Sequence, residues 1–151
     1  MSIPAAAINR LDAERIEELI AARFPQVHSG GRNLVIEDVG PAHARVRLKA
    51  DPRNTRPGGT ISGMAMFALA DFSVYVAIIG RLGEPGIEAV TTNLNINFLA
   101  KPEARDMIAT VRLLRLGRRL AVGEVEMFSE GAADMVAHAV ASYALPPRSD
   151  R

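Results

Sequence analysis

The chain has 151 residues, with 18 basic against 17 acidic side chains and a formal net charge of +1, so its charge marks no nucleic-acid partner. It has no cysteine and three scattered histidines, which excludes disulfides and thiolate chemistry and argues against a structural zinc site. Aromatic side chains make up 5%, too few for a base-stacking platform, and the length fits one domain.

Met1 to Ile8 read as a loose lead-in. Met1 to Arg10 lacks the basic start and apolar core of a secretion signal, which makes the cytoplasm the expected location. Asn9 or Asp12 can cap a helix running to about Phe24. Ile16, Leu19, Ile20 and Phe24 fall on one face of it, and Glu14, Arg15, Glu17 and Glu18 on the other. Pro25 ends it. This is an amphipathic cover helix without chemistry of its own. After a Gly30-Gly31 turn, two alternating runs, 33–39 and 42–50, are joined at Gly40-Pro41 and read as a hairpin. In the second run Ala44, Val46 and Leu48 alternate with Arg45, Arg47 and Lys49, so one face is wet. His43, at its start, reads as a solvated side chain.

Asp51 to Gly59 is a dense run of turn formers feeding the stretch Gly58 to Gly80. That stretch opens on glycines, stays apolar for about 16 residues around Asp71, and closes at Gly80 in the manner of a helix C-terminus. Apolarity on every side predicts a helix wrapped by protein. It is short of the roughly 20 residues that span a bilayer and carries a carboxylate at its centre. Ser62 or Thr60 can cap it. Its first N–H groups can hold an anion or polarise a carbonyl. Asp71 follows Met66, Phe67 and Ala68 and precedes Val74 and Tyr75. A carboxylate there must be hydrogen-bonded, paired or protonated. Apolar surroundings disfavour the charged form of a carboxylate and make it a better base near neutrality. The structural alternative puts Asp71 at a wet edge of the helix, or against a neighbouring backbone group.

A loop through Gly83, Pro85 and Gly86 leads to the cleanest alternation in the chain. Val90, Thr92, Leu94, Ile96 and Phe98 take one face, and Thr91, Asn93, Asn95 and Asn97 the other. Such a polar ladder suggests a sheet edge or a subunit contact. Residues 106–115 and 119–128 form a second hairpin with Gly117-Arg118 at its tip. Residues 133–145 form a last strand, in which His138 reads as packing beside Val136 and Val140. The order gives an α+β domain, an antiparallel sheet curled around a long central helix. It covers 1–151, with the cover helix and turn in 1–31 and a tail at 146–151. One sheet covers one side of that helix, so a second copy of the chain is expected on the other.

Gly59-Thr60-Ile61-Ser62-Gly63, Leu69-Ala70-Asp71, Thr92-Asn93-Leu94-Asn95-Ile96-Asn97-Phe98-Leu99 and Gly117-Arg118-Arg119-Leu120-Ala121-Val122-Gly123-Glu124-Val125-Glu126 stand in this order and spacing. Together they resemble the hotdog-fold thioesterases of the PaaI-like (phenylacetate-pathway) group, over about Val39 to Leu145. The resemblance implies hydrolysis of acyl-CoA thioesters, CoA being part of the substrate, with no metal or redox cofactor. It implies a homodimer paired through the strand after the helix, or a tetramer built as a dimer of dimers, with the active site across the interface. No nucleic-acid or membrane partner is expected.

By the same resemblance, Asp71 is the general base on water, or the nucleophile. The Gly63 N–H, at the positive end of the helix dipole, polarises the thioester carbonyl and stabilises the oxyanion. Thr91 positions the water or the carboxylate. The family's histidine is Ser62 here and its second glycine is Met64; a hydroxyl can hydrogen-bond the substrate but cannot carry an imidazolium charge. The position usually holding asparagine is Arg56, with Asn54 nearby as a substitute. Arg56 is expected to pair with Asp71 across the interface, or to meet a substrate carboxylate or phosphate, unless it is a solvated loop arginine. Arg118 and Arg119, with Arg115, are expected at the CoA phosphates, against the alternative of an ordinary wet turn. Met64, Met66, Phe67, Phe72 and Tyr75 are expected to line the acyl pocket, or simply to fill the core. The competing reading, motivated by the missing histidine, is a non-catalytic protein that binds acyl-CoA or an aromatic ligand. A hydratase would want an Asp/His pair at the helix entry, which is absent.

Overall fold

The computed structural model describes residues 11–147; the lead-in, Asn9 and the end of the tail lie outside that range. Helix α1 is Ala13–Arg23. Asp12 caps it, its Oδ1 accepting from the Arg15 N–H at 2.9 Å. Ile16 and Ile20 are fully buried. Phe24 leaves the helical conformation ahead of Pro25, whose ring disfavours helix at the preceding residue, and remains exposed. A single 3₁₀ turn, Pro25–His28, follows.

The strands are β1 Leu34–Val39, β2 His43–Leu48, β3 Val90–Phe98, β4 Met107–Leu116, β5 Leu120–Ser129 and β6 Met135–Ala144. They form one six-stranded sheet in the order β1-β2-β4-β5-β6-β3, antiparallel at every pairing. Alternate side chains on each strand meet the helix α2, Gly63–Leu82, which lies across the sheet. On β6 that row is Ala137, Ala139, Ala141 and Tyr143, small residues that let the helix come close. Gly123 on β5 does the same: a Cβ there would lie 3.0 Å from Val74 Cγ1.

Helix α2 is longer than the sequence suggests. It runs 20 residues, straight through Gly80. Gly80 stays helical and its carbonyl accepts from the Leu11 N–H at 3.1 Å. The stop is Gly83, whose φ of 80° suits glycine and whose N–H closes on the Ile79 carbonyl. In length and apolarity the helix therefore reaches the bilayer-crossing range, yet it is the core helix of the domain, sheathed by the sheet. Its burial is uneven. The turns after Leu69 are enclosed, whereas Met64, Phe67 and Ala68 remain open on the first turns.

Strand β3 is an edge, paired only with β6, and much of it is exposed. A bulge between Thr91 and Asn93 shifts its register against β6. The bulge breaks the simple two-face alternation: Thr91 turns to the helix side, the side on which Leu94 and Ile96 pack. His138 also differs from expectation. It sits on the outer face, its Nε2 3.1 Å from Glu124 Oε2, because the helix-facing row of β6 is the odd-numbered one.

Candidate active site

Asp71 lies near the middle of α2, half-buried, facing the start of β3 and the end of β6. Its Oδ1 accepts two hydrogen bonds, from Thr91 Oγ1 at 2.7 Å and from the Tyr143 hydroxyl at 2.6 Å. The same hydroxyl is 2.8 Å from the Asp71 carbonyl oxygen. Among the ways to tolerate a carboxylate in an apolar helix, this chain uses hydrogen bonding. Each bond to a charged acceptor contributes about 1.5–3 kcal/mol. Asp71 opens on a cavity of about 520 Å³ whose walls include Phe24, Phe72, Tyr75, Thr91 and Tyr143. Burial pushes the Tyr75 phenol up to about 12, and its hydroxyl donates to the Ile87 carbonyl at 2.5 Å. Tyr143 is shifted upward as well, by burial first and by the Asp71 carboxylate next. Both phenols are neutral donors near neutral pH.

A second group of residues gathers at the start of α2. Ser62 is the helix cap, its Oγ accepting from the Ala65 N–H at 3.1 Å. Its carbonyl accepts from the Met66 N–H. The N–H groups of Gly63 and Met64 have no acceptor among the described residues, which leaves two donors at the positive end of the helix. Gly63 lies against the Phe98 ring, 3.4 Å from where a Cβ would stand. Met64 is 83% exposed. Asn54 is buried and braces the preceding turn. Its Nδ2 donates to the Lys49 carbonyl and its Oδ1 accepts from the Asp51 N–H, so the amide is committed locally. Arg56 is exposed, and among the described residues it makes no ion pair with Asp71.

Arg118 and Arg119 stand exposed at the β4–β5 turn. Register places that turn at the cavity end of the sheet, since Leu120 pairs with Ala144 and Ala144 with Val90. The expected site residues thus fall into two groups. Asp71 and Thr91 share one end of the sheet with the arginine turn, and Ser62, Gly63, Met64, Asn54 and Arg56 cluster at the helix start. Of the five expected pocket residues, Phe72 and Tyr75 line the cavity with Asp71; Met66 is core, and Met64 and Phe67 face outward at the helix start. Tyr143 escaped the sequence reading. Its one signal was its place as the bulky end of the row Ala137, Ala139, Ala141.

Residues 58–136, more than half of the chain, match the family model of the thioesterase superfamily. The chain belongs to that superfamily, and membership implies thioester hydrolysis. The fold agrees. A protein from Silicibacter sp. TM1040, provisionally described as a thioesterase, is 39% identical over 95% of this chain and 97% of its own, with a TM-score of 0.83. Zebra fish thioesterase superfamily member 2 is 20% identical over 90% of this chain and 99% of its own, with a TM-score of 0.75. A variant of the phenylacetic acid degradation protein PaaI from Thermus thermophilus is 24% identical over 76% and 94%, with a TM-score of 0.65. The last two share the hotdog fold with this chain. No match is found among curated proteins.

Proposed function

We propose that this chain hydrolyses acyl-CoA thioesters to the free acid and CoA, at a site shared by two copies of the chain. The observation that carries the reading is the carboxylate of Asp71, held by two hydroxyls and opening on an apolar-walled cavity. Asp71 takes a proton from water as the water oxygen attacks the thioester carbonyl. The carbonyl oxygen becomes an oxyanion, held by backbone N–H groups at the start of α2. Collapse of the tetrahedral intermediate breaks the C–S bond, and the proton on Asp71 passes to the leaving thiolate. Attack by the carboxylate itself, followed by hydrolysis of the resulting anhydride, gives the same products.

The spacing of the two groups supports the second copy. Gly63 and Asp71 are eight residues apart on one helix, a rise of about 12 Å. Base and oxyanion donor must each come within about 3 Å of the reacting atoms, so one chain cannot supply both. Strand β3 has a free edge, and α2 runs so that Gly63 lies by Phe98 while Asp71 lies by Thr91. Antiparallel pairing of two β3 edges about a two-fold axis sets the Phe98 end of one copy beside the Thr91 end of the other. Gly63 of the partner subunit then approaches Asp71. The arginine turn, at the same end of the sheet as the cavity, suits the phosphates of CoA.

The test is release of free thiol from short, long and aromatic acyl-CoA esters by wild type and Asp71→Asn. Wild type turns over at least one ester, and Asp71→Asn loses about 10²–10⁴-fold in kcat while keeping its fold and oligomeric state. Full activity in Asp71→Asn overturns the assignment. Saturable ester binding by wild type without thiol release would instead favour a binding protein.

A further inference from the structure

Tyr143 pairs directly across from Thr91, β6 against β3, and both hydroxyls converge on the same oxygen of Asp71. Tyr143 is 3% exposed. Its ring stacks on Tyr75, with centroids 6.1 Å apart and planes at 18°. Tyr75 is itself anchored at the Ile87 carbonyl. The phenol is therefore fixed by its strand, its stack and its hydrogen bond. No donor among the described residues reaches Oδ2 of Asp71, although the residue lines the cavity.

We propose that Tyr143 is a positioning residue of the site: with Thr91 it anchors Oδ1 and so leaves Oδ2 as the oxygen that meets the attacking water or the thioester carbonyl. The inference rests on Asp71 being the reactive carboxylate. A carboxylate torsion is soft and nearly two-fold, so its two oxygens exchange places easily when nothing distinguishes them. Two donors on one oxygen remove that equivalence. Because they come from adjacent strands at one register position, the sheet fixes their separation. The single phenol proton is also within reach of the Asp71 carbonyl, so the tyrosine ties the side chain to its own stretch of helix. Thr91 alone would leave the carboxylate free to swing about one contact. A reacting group displaced by about 1 Å can cost on the order of 10²-fold in rate.

The experiment measures kcat and KM separately, on the ester that wild type turns over best, for wild type, Asp71→Asn, Tyr143→Phe and Ser129→Ala. Tyr143→Phe is expected to lower kcat about 10- to 100-fold with KM within about 2-fold. Ser129→Ala removes a buried hydroxyl at the far end of β5, where it accepts from the Glu103 N–H, and is expected to stay within about 2-fold of wild type in kcat. Wild-type kcat in a folded Tyr143→Phe, beside an inactive Asp71→Asn, overturns the role of Tyr143 and leaves the thioesterase reading intact. No turnover by wild type, or full turnover by Asp71→Asn, overturns both. Equal losses in Tyr143→Phe and Ser129→Ala make the loss a general effect of removing a buried hydroxyl and overturn the proposal. If Tyr143→Phe does not fold, 3-fluorotyrosine at position 143 keeps the ring and hydroxyl but donates more strongly, which draws charge from the Asp71 carboxylate and makes it a weaker base. A fall in kcat at constant KM then supports the proposal, and an unchanged kcat sinks it.

Discussion

Ser62 stands where the resembling family carries a histidine, and its hydroxyl is committed to the Ala65 N–H. That bond satisfies one of the orphan donors at the start of α2 and leaves the Gly63 and Met64 N–H groups for another partner. Ser62→Ala removes the cap and should destabilise the domain by about 1 kcal/mol. Thermal unfolding should show this as a lower Tm, and an unchanged Tm would refute the capping role. Asp71 was legible in the sequence because a lone carboxylate inside an apolar run must have a partner. Thr91 entered through the resemblance, but its orientation did not: simple alternation put it with Asn93 and Asn95, and only the bulge turns it toward the helix. Tyr143 was illegible for a different reason. A buried tyrosine on a strand has the local pattern of core, and its partner lies 72 residues away.

At the scale of elements, β1, β2 and the ends of β4 and β5 are held together on the outer side of the sheet by Arg47. Its guanidinium reaches Glu37 on β1, Asp106 just before β4 and Glu130 just after β5. Burial pushes the Glu37 carboxyl upward, but hydrogen bonds from Arg45 and Arg47 outweigh it and hold the group below its ordinary value of 4.5. A depressed carboxyl contributes stability above its unfolded value and loses it as pH falls through the folded one. Melting followed from pH 7 downward should therefore show Tm falling as the pH drops below the unfolded value of about 4.5 and on through the lower folded one. In Glu37→Gln that fall should be shallower, with a lower plateau near neutrality. Identical acid limbs in the two proteins would count against the cluster. These pairs were not readable from local pattern. The alternation of Arg45, Arg47 and Lys49 marks a wet face, whereas the acids that meet it come from three other segments brought together by strand order.

For the whole molecule, the order of elements was readable along the chain, since each strand and helix carries its own periodicity. The pairing of β6 with β3 was not, because it joins segments far apart in sequence, whereas the polar ladder of β3 had already suggested a sheet edge. That edge organises the proposed site, and it can be tested by complementation. Asp71→Asn removes the proposed base. Gly63→Pro removes the N–H at the first position of α2, where proline is well tolerated. Ser62 before it is already extended, at φ −76° and ψ 158°, as a residue preceding proline must be. Each variant alone has every site broken, by either missing part. When the two chains are mixed and allowed to exchange, a heterodimer contains one site with both defects and one with neither. Random pairing makes half of the dimers mixed, so activity should recover to about a quarter of wild type. A site built within one chain gives no recovery, because every chain in the mixture carries a lesion. Recovery that appears only after exchange, and fails with two chains bearing the same substitution, would place the base and the oxyanion donor of each site on different copies.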